Sequence, residues 1–85
     1  MTTTPMHCAT LADQRAAVAA LRGCLAQLRA AHVDALTAAD HLTGARAARA
    51  GELADKAADA LAHCERLIVC VTGDLRAEQA QEVTR

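Results

Sequence analysis

The chain is 85 residues long, carries a formal net charge of −1 and contains no Phe, Tyr or Trp, although 53% of its residues are hydrophobic. This length allows one domain, and the near-neutral charge disfavours nucleic-acid binding, which depends on a cationic surface. No apolar run reaches the roughly 20 residues that a transmembrane helix needs. The 23 alanines favour long helices in close contact over a globule with a deep core, because Ala combines high helix propensity with little area to bury.

The first eight residues predict a flexible tail, and residues 9–85 predict a single helical domain. Pro5 supports this boundary, since proline is tolerated near a helix start but not inside a helix. The N-terminus lacks the basic and apolar regions of a signal peptide. We therefore expect a cytoplasmic protein, with export by a signal-peptide-independent route as the alternative.

A heptad pattern predicts the first helix, from about Ala9 to Leu42. Two interleaved sets of residues, each repeating every seven positions, form its apolar seam: Leu11, Val18, Leu25 and His32, and Leu21, Leu28 and Ala35. This spacing is that of the a and d positions of packed helices. Arg15, Arg22 and Arg29 repeat beside the seam, where arginine methylenes cover apolar surface while the guanidinium groups stay hydrated.

The turn is predicted at Gly44 and the two residues before it, because glycine adopts a positive φ without steric cost. The second helix is expected to begin near Ala45, with Gly51 as an alternative start or a kink. We expect it to continue to about Val83, and a break at Gly73 is the alternative. Its predicted seam contains Leu53, Ala57, Ala60, Leu61, Cys64, Leu67, Ile68, Val71 and Leu75.

Together the elements predict an all-α antiparallel helical hairpin. Its ten Leu, five Val and one Ile form a thin stripe, and so small a core is marginal for a monomer. Pairing of two hairpins into a four-helix bundle would complete the core. We expect a non-catalytic interaction module whose partner is a second copy, in a homodimer or higher oligomer, or a related helical protein. The residues expected to carry the contact are Leu21, Leu25, Leu28, Leu36, Leu61, Leu67, Ile68 and Val71.

The four cysteines and four histidines are the alternative source of function. Their spacing forms no Cys-x-x-Cys or zinc-finger pattern. Residues equidistant from the turn of a helical hairpin lie opposite each other, which places Cys24 opposite Cys64; a later turn brings Cys24 nearer Cys70. Three interpretations stay open: packing by thiols that act as small apolar groups, a disulfide, or a thiolate-bound metal ion with His63 in support. The first, which needs no cofactor, is the one we expect.

An enzyme is not expected from this sequence. His63 and Cys64 are neighbours on a helix and therefore point about 100° apart, which does not suit a thiolate–imidazole pair. The chain contains no glycine-rich phosphate loop and no nucleophile elbow.

With this hairpin, the chain resembles the small W-x-G-type helical-hairpin proteins that type VII secretion systems export. Gly44 and Asp74 match the last residues of that family's Trp-x-Gly turn and Tyr-x-x-x-Asp/Glu export signal. Leu42 and Cys70 stand where the family has its Trp and Tyr. The Ala-rich, Arg-over-Lys composition also resembles that of actinobacterial proteins. The resemblance implies export as a folded helical dimer with a related partner.

Overall fold

The computed structural model describes residues 10–84, without the side chains of residues 82–84. It contains two helices, α1 (Leu11–His41) and α2 (Gly44–Thr84), which pack against each other along their length. The two packed helices measure 61 × 34 × 14 Å, so the hairpin is a slab one helix thick. The predicted all-α helical hairpin is confirmed. Neither helix, over the described range, is long and apolar enough to cross a membrane.

Helix α1 begins at Leu11 because Thr10 caps it. The Thr10 hydroxyl oxygen accepts a hydrogen bond from the Asp13 backbone N–H at 3.1 Å, and the Asp13 carboxylate accepts one from the Thr10 N–H at 3.3 Å. This reciprocal capping box satisfies two backbone donors that the helix itself leaves unpaired. The predicted tail (residues 1–8) and the predicted start at Ala9 lie outside the described residues. The helix ends one residue earlier than predicted, because Leu42 has an extended backbone (φ −107°, ψ 168°).

The turn lies where the sequence predicts it, at Leu42 and Thr43. Gly44 follows with a φ of +64°, the left-handed conformation expected of it, although it is the first residue of α2. Helix α2 is continuous to Thr84. Neither the alternative start at Gly51 nor the alternative break at Gly73 occurs, because the packing of both flanking segments on α1 outweighs the low helix propensity of one glycine.

Alanine substitutions at two glycines should change stability in opposite directions. Gly44→Ala is expected to lower the free energy of unfolding by about 1 kcal/mol, because a side chain is strained at positive φ. Gly51→Ala is expected to raise it by about 1 kcal/mol, since the residue is helical and its new Cβ would meet no atom within 4 Å. Urea denaturation followed by circular dichroism measures both changes. Shifts of the same sign would contradict the assigned backbone conformations.

The burial pattern of α1 follows the predicted heptad seam. All the residues of α1 that are not exposed lie at its a and d positions: Leu11, Gln14, Val18, Leu21, Leu25, Leu28, His32, Ala35 and Ala39. The least exposed side chains in the described range are small: Ala54 at 2%, Val18 and Ala35 at 6%, and Cys64 at 7%. None of the larger side chains between residues 10 and 81 is completely buried. The leucines of the seam therefore keep part of their apolar surface in solvent.

The seam of α2 differs from the prediction at two leucines. Leu53 is 60% exposed and Leu67 is 50% exposed, so neither lies between the helices. Ala54, which is not in the predicted seam, and Ile68, which is, lie one position further along and face α1. Near the turn the contact surface of α2 consists of alanines, which allow the two backbones to approach closely and leave the adjacent leucine on the flank of the hairpin.

Candidate functional site

A shallow groove on one side of the hairpin brings the predicted thiol residues together. It is lined by Leu21, Cys24 and Leu28 from α1 and by Ala60, His63, Cys64, Arg66, Leu67 and Cys70 from α2. We call it the thiol groove. All four residues proposed from the cysteine and histidine pattern (Cys24, Cys64, Cys70 and His63) line it, whereas Cys8 lies outside the described residues.

Cys64 is the buried thiol of the groove. It lies on the face of α2 that packs on α1, and its Sγ donates a hydrogen bond to the backbone carbonyl oxygen of Leu21 at 3.4 Å. Burial raises the pKa of the Cys64 thiol. The charge of Cys24, a hydrogen bond with Cys24 and the charge of Glu65 raise this pKa further. Cys64 is therefore held as a protonated thiol facing Cys24, the juxtaposition that the position of the turn predicts.

Cys24 and Cys70 are exposed thiols, and both are free. Cys24 follows Leu21 by about one helical turn, which places it beside Cys64 across the helix interface. Cys70 lies on α2 at the edge of the same groove. The groove therefore holds one buried thiol and two that solvent reaches.

The groove does not gather a metal-binding set. His63 is exposed, and its Nδ1 lies 3.3 Å from a guanidinium nitrogen of Arg66 on the same helix. Within residues 10–84, no three His, Cys, Asp or Glu side chains converge closely enough to hold a metal ion. A ligand role requires convergence on one point at metal–sulfur distances of about 2.3 Å. The pair of thiols at Cys24 and Cys64 remains the chemically distinctive part of the groove.

The three thiols should differ in their rate of alkylation. We expect iodoacetamide to modify Cys64 about tenfold more slowly than Cys24 or Cys70 near neutral pH, because the thiolate is the nucleophile and burial both raises the Cys64 pKa and shields its sulfur. The difference should narrow as pH rises, since Cys64 ionises at a higher pH than an exposed thiol. Timed labelling with tryptic mapping measures each rate, because the three cysteines fall on separate tryptic peptides. Equal rates would contradict the burial of Cys64.

The opposite side of the hairpin carries arginines. Arg15 and Arg22 lie there beside Val18, Thr72 and Leu75, and we call this surface the arginine side. The next arginine of the heptad repeat, Arg29, forms an ion pair with Glu65 at 3.5 Å, and both side chains are about half exposed or more. Exposed pairs of this kind contribute little stability. The arginine side thus presents Arg15 and Arg22 to solvent, whereas most of the residues that line the thiol groove are apolar or thiols.

Most of the residues expected at an oligomer interface lie in the seam between the two helices. Six are half-buried there: Leu21, Leu25, Leu28, Leu61, Ile68 and Val71. Leu36 is 46% exposed and Leu67 is 50% exposed. Leu53, which is 60% exposed, is not among the residues predicted for this interface. The sequence does contain a signal for an apolar strip here: Leu53, Ala60 and Leu67 repeat every seven residues. Each of them lies one position before a residue that packs on α1, namely Ala54, Leu61 and Ile68.

Comparisons with protein-family models, with curated proteins and with solved structures find no match to the chain. The resemblance to the type VII hairpin proteins therefore stays a prediction.

Proposed function

We propose that the chain is a non-catalytic assembly module, and that two copies pair into a four-helix bundle through the side that carries the thiol groove. The observation that supports this most directly is the exposure of Leu53 and Leu67 on that side. They flank Ala60, which lines the groove between Leu21 and Leu28 of α1. An apolar strip of this kind is a common site of protein association.

The energetics of a two-helix slab favour a second layer. With no large side chain completely buried in the described range, the hairpin forgoes much of the stabilisation that its leucines can supply. Covering a half-exposed leucine contributes on the order of 1 kcal/mol. A second hairpin placed on the groove covers the half-exposed Leu53 and Leu67 in each copy, together with the smaller exposed part of Leu21 and Leu28.

Charge distinguishes the two sides of the hairpin as contact surfaces. Packing on the arginine side would remove Arg15 and Arg22 from water, and a buried charge without a partner costs several kcal/mol. The positions of α1 that face the groove side between its seam leucines are small and uncharged: Ala17, Cys24 and Ala31. The contact with α1 is therefore less costly on the groove side, while Arg66 of α2, which lines the groove, has to keep its guanidinium group in solvent.

The charges along the outer edges of the groove side favour one arrangement of the pair. Lys56 lies one heptad before His63 on the edge of α2, and Asp34 lies at the corresponding edge position of α1; both are exposed. If the two turns lie at the same end of the bundle, α1 of one copy packs over α2 of the other. Asp34 then lies at the same height as Lys56 of the second copy, and each such pair contributes up to about 1 kcal/mol.

Sedimentation equilibrium of the reduced full-length chain tests the assembly. We expect a mass of twice the 8.8 kDa chain, with dissociation on dilution. A mass of one chain across the micromolar range would contradict self-association and would favour a related helical protein as the partner.

A further inference from the structure

We infer that Cys24 and Cys64 form a reversible disulfide bond between the two helices by exchange with a low-molecular-weight disulfide such as oxidised glutathione, while Cys70 stays a free thiol. The proposed dimer covers the groove, so the exchange takes place in the single hairpin, in which Cys24 is exposed. It depends on the placement of two thiols within one hairpin.

The contact between the helices brings these two thiols together. Cys64 Sγ is 3.4 Å from the carbonyl oxygen of Leu21, and Cys24 stands one turn later on the same helix and side. Cys24 lies close enough to raise the pKa of the Cys64 thiol through its charge and a hydrogen bond. A disulfide requires side chains that face each other across a short backbone separation, and Cys24 and Cys64 line the same groove from opposite helices.

The unequal exposure of the two thiols assigns them different roles in the exchange. The Cys24 thiolate, which solvent reaches, attacks one sulfur of the glutathione disulfide; the glutathione disulfide bond breaks, a Cys24–glutathione bond forms and one glutathione thiolate leaves. Cys64 then loses its proton to solvent and attacks the Cys24 sulfur, which releases the second glutathione thiolate. The two protein sulfurs are oxidised by two electrons in total, and one glutathione disulfide is reduced to two glutathione thiols.

Cys70 is excluded as the partner of Cys64 by helix geometry. The two residues are six positions apart on α2, which separates their Cα atoms by about 9 Å along the axis, beyond the reach of a disulfide. Cys70 is the other thiol of the groove with which Cys24 can form a disulfide. It is therefore the residue to replace in the control variant.

Peptide mapping of the full-length chain tests the assignment. Protein equilibrated with mixtures of reduced and oxidised glutathione is acid-quenched, blocked with N-ethylmaleimide and digested with trypsin. Cys24 falls on peptide 23–29, Cys64 on 57–66 and Cys70 on 67–76. We expect a cross-linked pair of the first two peptides, with the blocking group on the third. A link from either thiol to peptide 67–76, or a link to the Cys8 peptide, would overturn the inference.

Two variants separate the steps. Cys70→Ser should form the cross-link as the wild type does. Cys64→Ser should stop at a glutathione adduct on Cys24, because the resolving thiol is missing. Failure of Cys70→Ser to cross-link, or accumulation of the adduct in the wild type with no cross-link at any glutathione ratio, would overturn the inference.

Thermal unfolding gives an independent readout. The bond closes a loop of about 40 residues, and cross-links of that size raise the melting temperature of a small domain by about 10–20 °C. A cross-linked chain that melts at or below the temperature of the reduced form would show that the bond distorts the hairpin. Sedimentation of the reduced chain is a separate measurement, so the assembly and the disulfide can fail independently.

Discussion

Ala54→Asp is expected to unfold the hairpin. Ala54 is 2% exposed, the lowest value in the described range, and it packs against α1. An aspartate there would place a carboxylate against α1 without space or a partner, at a cost of about 3–5 kcal/mol. That is comparable to the entire stability of a small domain. Far-UV circular dichroism of the variant should show loss of most of the helical signal.

Ala48→Asp is the matched control for this change. Ala48 lies on the same helix, one and two-thirds turns earlier, and is exposed. Its aspartate would stay in water near the N-terminus of α2, where a negative charge is favourable. We expect the control to keep its helical signal and its urea midpoint. Two variants with the same stability would show that α2 does not pack on α1 through Ala54.

Leu67→Asp is expected to dissociate the proposed dimer while the hairpin stays folded. Leu67 is half exposed in the single chain, so its replacement removes little of the contact between α1 and α2. In the dimer the same change places a carboxylate in the apolar strip of both copies. A loss of about 1.5 kcal/mol or more at each of the two sites weakens the dimer at least about 100-fold. Sedimentation equilibrium measures the dissociation constant, and circular dichroism confirms the fold.

Val69→Asp provides the comparison at a similar exposed position. Val69 is 71% exposed and lies beside Arg22 and Arg76 on the arginine side, so an aspartate there should leave the mass unchanged. Leu28→Asp, which the sequence alone predicts to dissociate the oligomer, changes a half-buried seam residue and should weaken hairpin and dimer together. Dissociation by Val69→Asp and not by Leu67→Asp would move the interface to the arginine side.

The sequence predicts α1 well because its seam consists of leucines at regular spacing. Two long series of apolar residues, which include Leu25 and Leu28, determine which face of α1 packs against α2. That face is the one that the structure buries. The first half of α2 is harder to predict, because alanine is compatible with both buried and exposed positions. The spacing therefore predicts Leu53 in the seam, whereas the structure buries Ala54 and leaves the larger side chain exposed.

The sequence predicts which residues form the candidate site, but not which of its thiols is buried. The position of the turn is enough to place Cys24 opposite Cys64. Which of the two is buried depends on a rotation of about 50° around each helix, the difference between a d position and its neighbour g. That rotation is decided by the packing of the whole seam, so the asymmetry between an exposed and a buried thiol appears only in three dimensions.

The position of the turn at Gly44 also determines the order in which contacts between the two helices form during folding. The contact between Leu21 and Cys64 spans 43 residues, and the hydrogen bond from Gln14 to Glu78 at 3.0 Å spans 64. Each pair of helical turns that docks shortens the loop for the next pair, so closure proceeds as a zipper from the turn outward and avoids the entropy of closing the longest loop first. The end that holds Gln14 and Glu78 is then the last to close and the first to open. A bond between Cys24 and Cys64 would confine that opening to the outer part of the hairpin.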